Sequence, residues 1–208
     1  MKKSKRAKKS NTWKIKQNRD HYFKKSKVLG YRSRASFKLI ELNDKFKFIK
    51  KNTNLLDLGS CPGGWSQVAS KIISKGKILS IDIKSMSPIK NVKFLNRDIF
   101  DVNTKNQISN YFNGNLDVII SDMAADTTGN KSLDSIRTNL LCIEVLNFST
   151  QILKNNGVFV SKLFMGDNFI ELKNLAKTLF KDVNFFKPES SKSESKETYL
   201  HCKILKTL

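Results

Sequence analysis

The sequence predicts an α/β protein built on one mostly parallel sheet that ends in an antiparallel pair. Three observations predict it. From residue 52 onward, short apolar runs alternate with stretches of helical periodicity, the pattern of parallel strands covered by helices on both faces. A glycine-rich turn follows the first run and aspartates close later ones, so polar groups gather at the strand ends where open sheets bind ligands. The last two apolar runs are separated by a polar loop rather than a helix, which suits antiparallel partners.

Residues 1–30 form a basic lead-in with scattered Trp13, Tyr22 and Phe23, predicted as a partly flexible arm ahead of one domain over 31–208. A helix follows, with Ser33 as its candidate cap and Ala35, Leu39, Leu42, Phe46 and Ile49 recurring at spacings of four and three. That stripe packs inward, and Lys38, Glu41 and Lys45 share the opposite face as ordinary solvated charge. Strand-like runs cover 55–58, 77–83, 92–95, 116–121 and 158–163. Between them lie helical segments through Trp65, Val68, Ala69, Ile72 and Ile73, near 108–112, through Leu133, Ile136, Leu140, Val145, Phe148 and Ile152, and over 168–180. The closing antiparallel pair is 183–186 and 198–205.

Of the 208 residues, 39 are Lys or Arg and 18 Asp or Glu, a net charge of +21. Residues 1–51 hold about 19 basic and 3 acidic side chains, roughly +16, leaving about +5 for the rest. One end therefore faces a polyanion, with nucleic acid the leading partner class and an anionic membrane surface the second. A hydrophobic fraction of 39%, with 14 Phe, excludes a wholly disordered polycation. No apolar run approaches the roughly 20 residues of a bilayer span, and the N-terminus lacks a signal-peptide stretch. The expectation is a soluble, cytoplasmic protein without a membrane partner. Cys61, Cys142 and Cys202 are widely spaced, and the chain has only two histidines; neither a disulfide scaffold nor a metal site is expected.

The first strand turn reads Asp57-Leu58-Gly59-Ser60-Cys61-Pro62-Gly63-Gly64-Trp65. Its glycines let the backbone approach a ligand closely, but the spacing is neither G-x-G-x-x-G nor a phosphate-binding loop. Asp82 ends the second strand about 23 residues beyond Gly59, where a carboxylate accepts hydrogen bonds from ribose hydroxyls. Asp98 follows the third strand and Asp122 closes the fourth. One such aspartate is more often a turn former; three on one sheet edge predict a nucleoside pocket. Without the dinucleotide fingerprint, S-adenosylmethionine fits better than NAD. In Val160-Ser161-Lys162-Leu163-Phe164 a lysine sits among apolar residues at a strand end, where it must snorkel to solvent or find a partner such as Asp122.

With these pieces in place, the sequence resembles the FtsJ/RrmJ family of ribose 2'-O-methyltransferases over nearly all of residues 12–205. The resemblance is carried by Gly30-Tyr31-Arg32-Ser33-Arg34-Ala35-Ser36-Phe37-Lys38-Leu39, by the glycine turn through Gln67, by Ser121-Asp122-Met123-Ala124, by Ser161-Lys162-Leu163-Phe164 and by Glu197-Thr198-Tyr199-Leu200. It implies a Rossmann-like class I S-adenosylmethionine-dependent fold with a mostly parallel seven-stranded sheet. The family's catalytic tetrad falls on Lys38, Asp122, Lys162 and Glu197, and its cofactor contacts on Gly63, Trp65, Asp82, Asp98 and Asp122. Cys61, Ala125, Asp126 and Lys192 depart from the family's usual residues without touching the tetrad. The compact length resembles the bacterial branch that methylates a uridine of 23S rRNA in the assembled 50S subunit, acting as a monomer. Readings left beside it are a 2'-O-methyltransferase of tRNA and a non-catalytic RNA-binding assembly factor. The basic lead-in, with Arg32, Arg34 and Lys38, is expected to bind RNA backbone without reading bases.

Overall fold

The computed structural model describes residues 20–206, so residues 1–19 of the predicted arm, with Trp13, lie outside the described residues. In chain order the elements are α1 (His21–Val28), α2 (Ala35–Phe46), β1 (Leu55–Leu58), α3 (Gly64–Ile72), β2 (Ile78–Asp82), β3 (Lys93–Asn96), α4 (Val102–Phe112), β4 (Leu116–Ser121), α5 (Lys131–Ile152), β5 (Leu153–Phe164), α6 (Phe169–Leu179), β6 (Phe180–Phe186) and β7 (Glu197–Leu205). They build a seven-stranded sheet in the order β3-β2-β1-β4-β5-β7-β6. All neighbours are parallel except β7, which runs antiparallel to both β5 and β6. The predicted class and its closing pair are both present; β7 is inserted, and β6 forms the edge.

Strand alternation sorts the core onto two faces. Leu56, Leu58, Ile119 and Phe159 pack with Ile108, Val145, Leu172 and Phe180 beneath α4, α5 and α6. Leu55, Val118, Ile120, Val160 and Tyr199 pack with Leu39, Leu42, Trp65 and Val68 of α2 and α3. The strands in the middle, β1 and β4, are buried on both sides and, apart from Asp57, Asp117 and the closing Ser121, are apolar.

Three expectations change. Residues 21–28, grouped by composition with the arm, form a helix capped by Asp20, whose Oδ1 accepts a hydrogen bond from the Phe23 N–H at 3.1 Å. The helix is docked: Ser26 is buried and the Tyr22 ring lies 5.4 Å from Phe37. Ser33 does not cap α2. Arg34 takes the N-cap position in helical conformation without a side-chain bond, because the Ser33 hydroxyl is packed against Gly64, where a Cβ would collide with it. In α5 the expected stripe holds only in the C-terminal half: Leu133 and Leu140 are exposed, while Ser135, Thr138 and Asn139 are buried. Asn139 explains the inversion, since its amide donates to Phe164 O at 3.0 Å and its Oδ1 accepts from Phe164 N at 2.8 Å. A polar side chain there holds the end of β5.

Phe159 is fully buried and lies 6.3 Å from the Phe180 ring across the β5–α6 side of the core. Replacing it with Ala should destabilise the fold by about 3–5 kcal/mol. Urea unfolding reads this as a lower midpoint at unchanged slope, and a loss below about 1 kcal/mol would contradict the packing described.

Candidate active site

The turn after β1 is shaped by backbone demands that glycine meets. Gly59 (φ +70) and Gly63 (φ +102) are left-handed, and a Cβ on Gly59 would run into Met123. The Gly59 N–H donates back to Ile81 O at 2.9 Å, and Gly63 N–H to Ser60 O at 2.6 Å. Asp82 then ties the turn to the end of β2: its Oδ2 accepts from Cys61 N and its Oδ1 from Lys84 N, both at 2.8 Å. Arg32 closes the turn from outside, donating to Ser87 O and Pro88 O at 2.6 Å each. Its guanidinium is therefore engaged within the protein, and so is that of Arg34, which pairs with Asp20 and donates to Ser190 O. Both arginines thus have a structural role in holding neighbouring loops.

Beyond the turn, a cleft of about 590 Å³ opens over the carboxyl ends of the strands. Asp82, Asp98 and Asp122 all line it, as does Gly59, with Ile99, Phe100, Met123 and Leu140 as its apolar surfaces. Asp98 Oδ1 accepts from Phe100 N at 2.9 Å, fixing the loop that carries it. Gly63 and Trp65 stand behind the turn instead. Trp65 is only 2% exposed and its indole N–H donates to Ala35 O at 2.8 Å, so it supports the turn against α2.

Next to the cleft, four ionisable side chains from opposite ends of the chain meet. Lys162 Nζ lies 2.7 Å from Asp122 Oδ1, and Lys38 Nζ lies 2.6 Å from Glu197 Oε1. Lys38, Lys162 and Glu197 are each less than a tenth exposed or at that limit. The pairs are tied in from below: Tyr199 Oη donates to Asp122 Oδ1 at 2.7 Å, and Ser191 Oγ to Glu197 Oε1 at 2.7 Å. Lys162 also donates to the Asp122 carbonyl at 3.0 Å.

Burial alone would push Asp122 toward its neutral form, but Lys162 and Lys38, helped by the hydrogen bonds, hold its carboxyl below the usual carboxylate value. For Lys162, burial works to lower the pKa, while Asp122 and Glu197 raise it; the carboxylates win and the ammonium form is favoured. Tyr199 is pushed well above an ordinary phenol by burial and then by the same two carboxylates, so it stays a donor.

The lysine-to-solvent option for Lys162 is thus replaced by the Asp122 pair, and of the α2 face expected to be solvated only Lys45 is exposed. Lys38 is buried on it, and Glu41 accepts from the backbone of the 187–196 loop, from Glu189 N at 2.6 Å and Ser190 N at 3.1 Å. Sequence reasoning missed Glu41, Ser191 and Tyr199 as members of this neighbourhood. Tyr199 sits two residues after Glu197 on one strand face, a signal that period-2 reading can find; the partners of Glu41 lie about 150 residues away and leave no local trace.

A mostly parallel seven-stranded sheet with β7 inserted antiparallel is the Rossmann-like class I methyltransferase fold. Human methyltransferase-like protein 13, solved with SAH, shares that fold at a TM-score of 0.56 and 17% identity, covering 81% of this chain and 79% of the human one. The chain belongs to the FtsJ-like methyltransferase family, whose model matches residues 31–205. It is 45% identical over 197 residues to the ribosomal RNA large subunit methyltransferase E of Pelagibacter ubique (strain HTCC1062), covering 95% of this chain and 97% of that one. A Plasmodium falciparum structure described as a ribosomal RNA methyltransferase matches with a TM-score of 0.75 at 35% identity, over 84% of this chain and 98% of that one. Among the described residues no helix is long and apolar enough to cross a membrane.

Asp57, under the glycine turn, is 1% exposed. Ser66 Oγ donates to its Oδ2 at 2.5 Å and Oδ1 has no partner. Burial pushes its pKa up to about 7, opposed by the Ser66 hydrogen bond and reinforced by Asp122 and Asp82. A carboxyl raised in the folded state binds a proton there that the unfolded chain has released, so its contribution to stability is full below about pH 4 and is lost as pH rises through about 7. Across that window the loss is on the order of 3–4 kcal/mol. Asp57→Asn should flatten this part of the stability–pH curve; denaturant titrations at pH 5 and pH 8 that give the same mutant–wild-type difference would reject the assignment.

Proposed function

We propose that this chain transfers a methyl group from S-adenosylmethionine to the 2'-hydroxyl of a uridine ribose in 23S ribosomal RNA, within the 50S subunit. The observation that carries the reading is the double position of Asp122, which lines the cleft and also holds Lys162. The names of the relatives support the substrate class. The residues present fit the cofactor. The cleft volume suits a nucleoside-sized ligand, Asp82 and Asp98 offer acceptors for ribose and base, and Ile99, Met123 and Leu140 offer apolar walls. Gly59 leaves space that any side chain would fill, while Gly63 and Trp65 shape the turn from behind.

When bound, S-adenosylmethionine supplies a methyl carbon activated by a positive sulfur. The chain must align the hydroxyl with it and remove the hydroxyl proton. Lys162 Nζ is assigned as the acceptor. In the ligand-free protein its raised pKa keeps it protonated, and it then orients the hydroxyl oxygen. Asp122 faces the cleft too, so positive charge there competes for its carboxylate and lets the Lys162 pKa fall toward the neutral amine. Lys38 and Glu197 hold the ribose and its phosphate in register. The arm over residues 1–30, with Lys24, Lys25 and Lys27 on α1, docks RNA backbone. The reading takes the protein as a cytoplasmic monomer.

Incubation with methyl-labelled S-adenosylmethionine and a choice of naked 23S rRNA, 50S particles and tRNA, followed by mapping of the labelled ribose, tests this. Label should enter a 23S uridine in 50S particles; label confined to tRNA, or none in any RNA, would overturn the proposal. Lys162→Ala should lower the transfer rate by about 10²–10⁴ while calorimetry shows near-native cofactor binding. Near-native turnover would remove Lys162 from its role.

A further inference from the structure

The loop over residues 187–196 joins β6 to β7 and carries no apolar side chain except Pro188. Hydrophobic burial therefore cannot order it, and its fixation must come from polar ties that offset the entropy of holding the chain still. Yet Ser190 is fully buried and Ser191 nearly so. Two side chains of the N-terminal region grip this stretch by its backbone. Glu41 accepts from Glu189 N through Oε2 and from Ser190 N through Oε1, and Arg34 donates to Ser190 O. Both polar groups of the Ser190 backbone are thus held by charged partners, the strong kind of hydrogen bond. Within the loop, Lys187 Nζ donates to Ser193 O at 3.3 Å and Ser195 O at 2.7 Å, and Ser191 N donates to Pro188 O at 3.0 Å.

The gripped residues lead directly into the site. Ser191 follows Ser190, and its hydroxyl donates to Glu197 Oε1, the same oxygen that receives Lys38 Nζ. Lys38 and Glu41 are three residues apart on α2, so they project from one helix face. One helix face therefore holds Glu197 directly, through Lys38, and indirectly, through the loop backbone and Ser191.

We infer that Glu41 is a positioning residue for the methyl-transfer site, acting through the Glu189–Ser190 backbone and the Ser191 hydroxyl to fix the Glu197 carboxylate against Lys38. The inference rests on the proposed reaction for its kinetic consequence. Its structural half stands apart: without Glu41 the loop loses the acceptor for two adjacent N–H groups and Ser191 loses its fixed place over Glu197.

The test is a double-mutant cycle on the full chain with Glu41→Ala, Ser191→Ala and the pair, read as kcat, KM for the RNA, cofactor affinity and melting temperature. Each single variant should lower kcat about ten- to a hundredfold with cofactor affinity unchanged. The double variant should be no worse than the poorer single one, because both changes break the same chain of contacts. Glu41→Gln, which keeps one carbonyl acceptor, should recover part of the loss. Multiplicative losses in the double variant, or a fall in cofactor affinity parallel to kcat, would make Glu41 a general stabiliser and overturn the inference. Amide exchange over 187–197 gives a readout independent of turnover: faster exchange there in Glu41→Ala, with the glycine turn unchanged, is expected. Unchanged exchange overturns the inference whatever the activity. Wild-type protein that labels no RNA but shows the exchange difference refutes the proposed reaction and leaves the positioning contact standing.

Discussion

The arrangement of the site depends on the pairing of β7 with β5. Because β7 runs antiparallel, its first residue meets the last of β5: Glu197 lies opposite Phe164, and Tyr199 opposite Lys162. A parallel strand in that position would send its start to the other end of the sheet and leave Lys38 without a carboxylate. Register matters as much as direction, since a slip of one residue turns every side chain to the opposite face. Tyr199 secures it. Its ring is fully buried among α2 and α3 residues, 5.6 Å from Trp65, and only its hydroxyl reaches Asp122. A core aromatic with a polar tip thus carries packing and hydrogen bonding in one side chain, and Glu197 precedes it on the same face by two residues.

Direction and register bring four charges together where water is scarce, and this arrangement is stable only as a set. Two lysines and two carboxylates sum to zero, and each cation has a carboxylate within 2.7 Å. Removing one partner would leave its neighbour buried and uncompensated, which costs more than an isolated pair contributes. The opposing pKa directions of Asp122 and Lys162 express the same balance: both are pushed by burial toward neutrality, and each is kept charged by the other. A site poised in this way responds to charge arriving in the cleft because Asp122 belongs to both places.

Much of the fold was legible because its strands are bounded by sharp chemical changes. Residues 55–58 and 116–121 are mainly apolar runs, each interrupted by one aspartate and closed by glycine or Ser-Asp, and the strands observed coincide with them. Where strand and apolar run part company, reading fails: β5 begins at Leu153 and passes through Lys154, Asn155, Asn156 and Gly157 before the apolar stretch. The basic composition of residues 20–30 hid a helix whose signal is a single capping aspartate. Leu133 and Leu140 misled because the buried face of α5 near the site is polar, spent on holding the end of β5 through Asn139. The aspartates of the cleft were readable from strand ends alone, whereas the cluster of Lys38 and Glu197 required the resemblance, since only tertiary structure joins residues 159 positions apart. The functions of Arg32, Arg34 and Glu41 were not readable, because each meets backbone groups of a distant loop and backbone partners carry no residue identity.

These placements separate two kinds of charge that the net +21 merges. The buried cluster is neutral overall, and Arg32 and Arg34 are consumed by carbonyls and Asp20. The cluster and the Arg34–Asp20 pair therefore add little net field at the surface, whereas Arg32, bonded only to carbonyls, keeps its charge. That field comes from lysines such as Lys24, Lys25 and Lys27, which line α1 beside the entrance to α2. Exposed charges of this kind attract at long range and are screened by salt over about 8–10 Å, while the buried pairs are shielded by the protein from the same ions. In the proposed reading, the long-range attraction of RNA by surface lysines and the proton movement in the cluster are therefore electrostatically separate tasks, joined mechanically. The joint is α2, whose first turn follows the basic segment and whose next turn delivers Lys38 and Glu41 to the site.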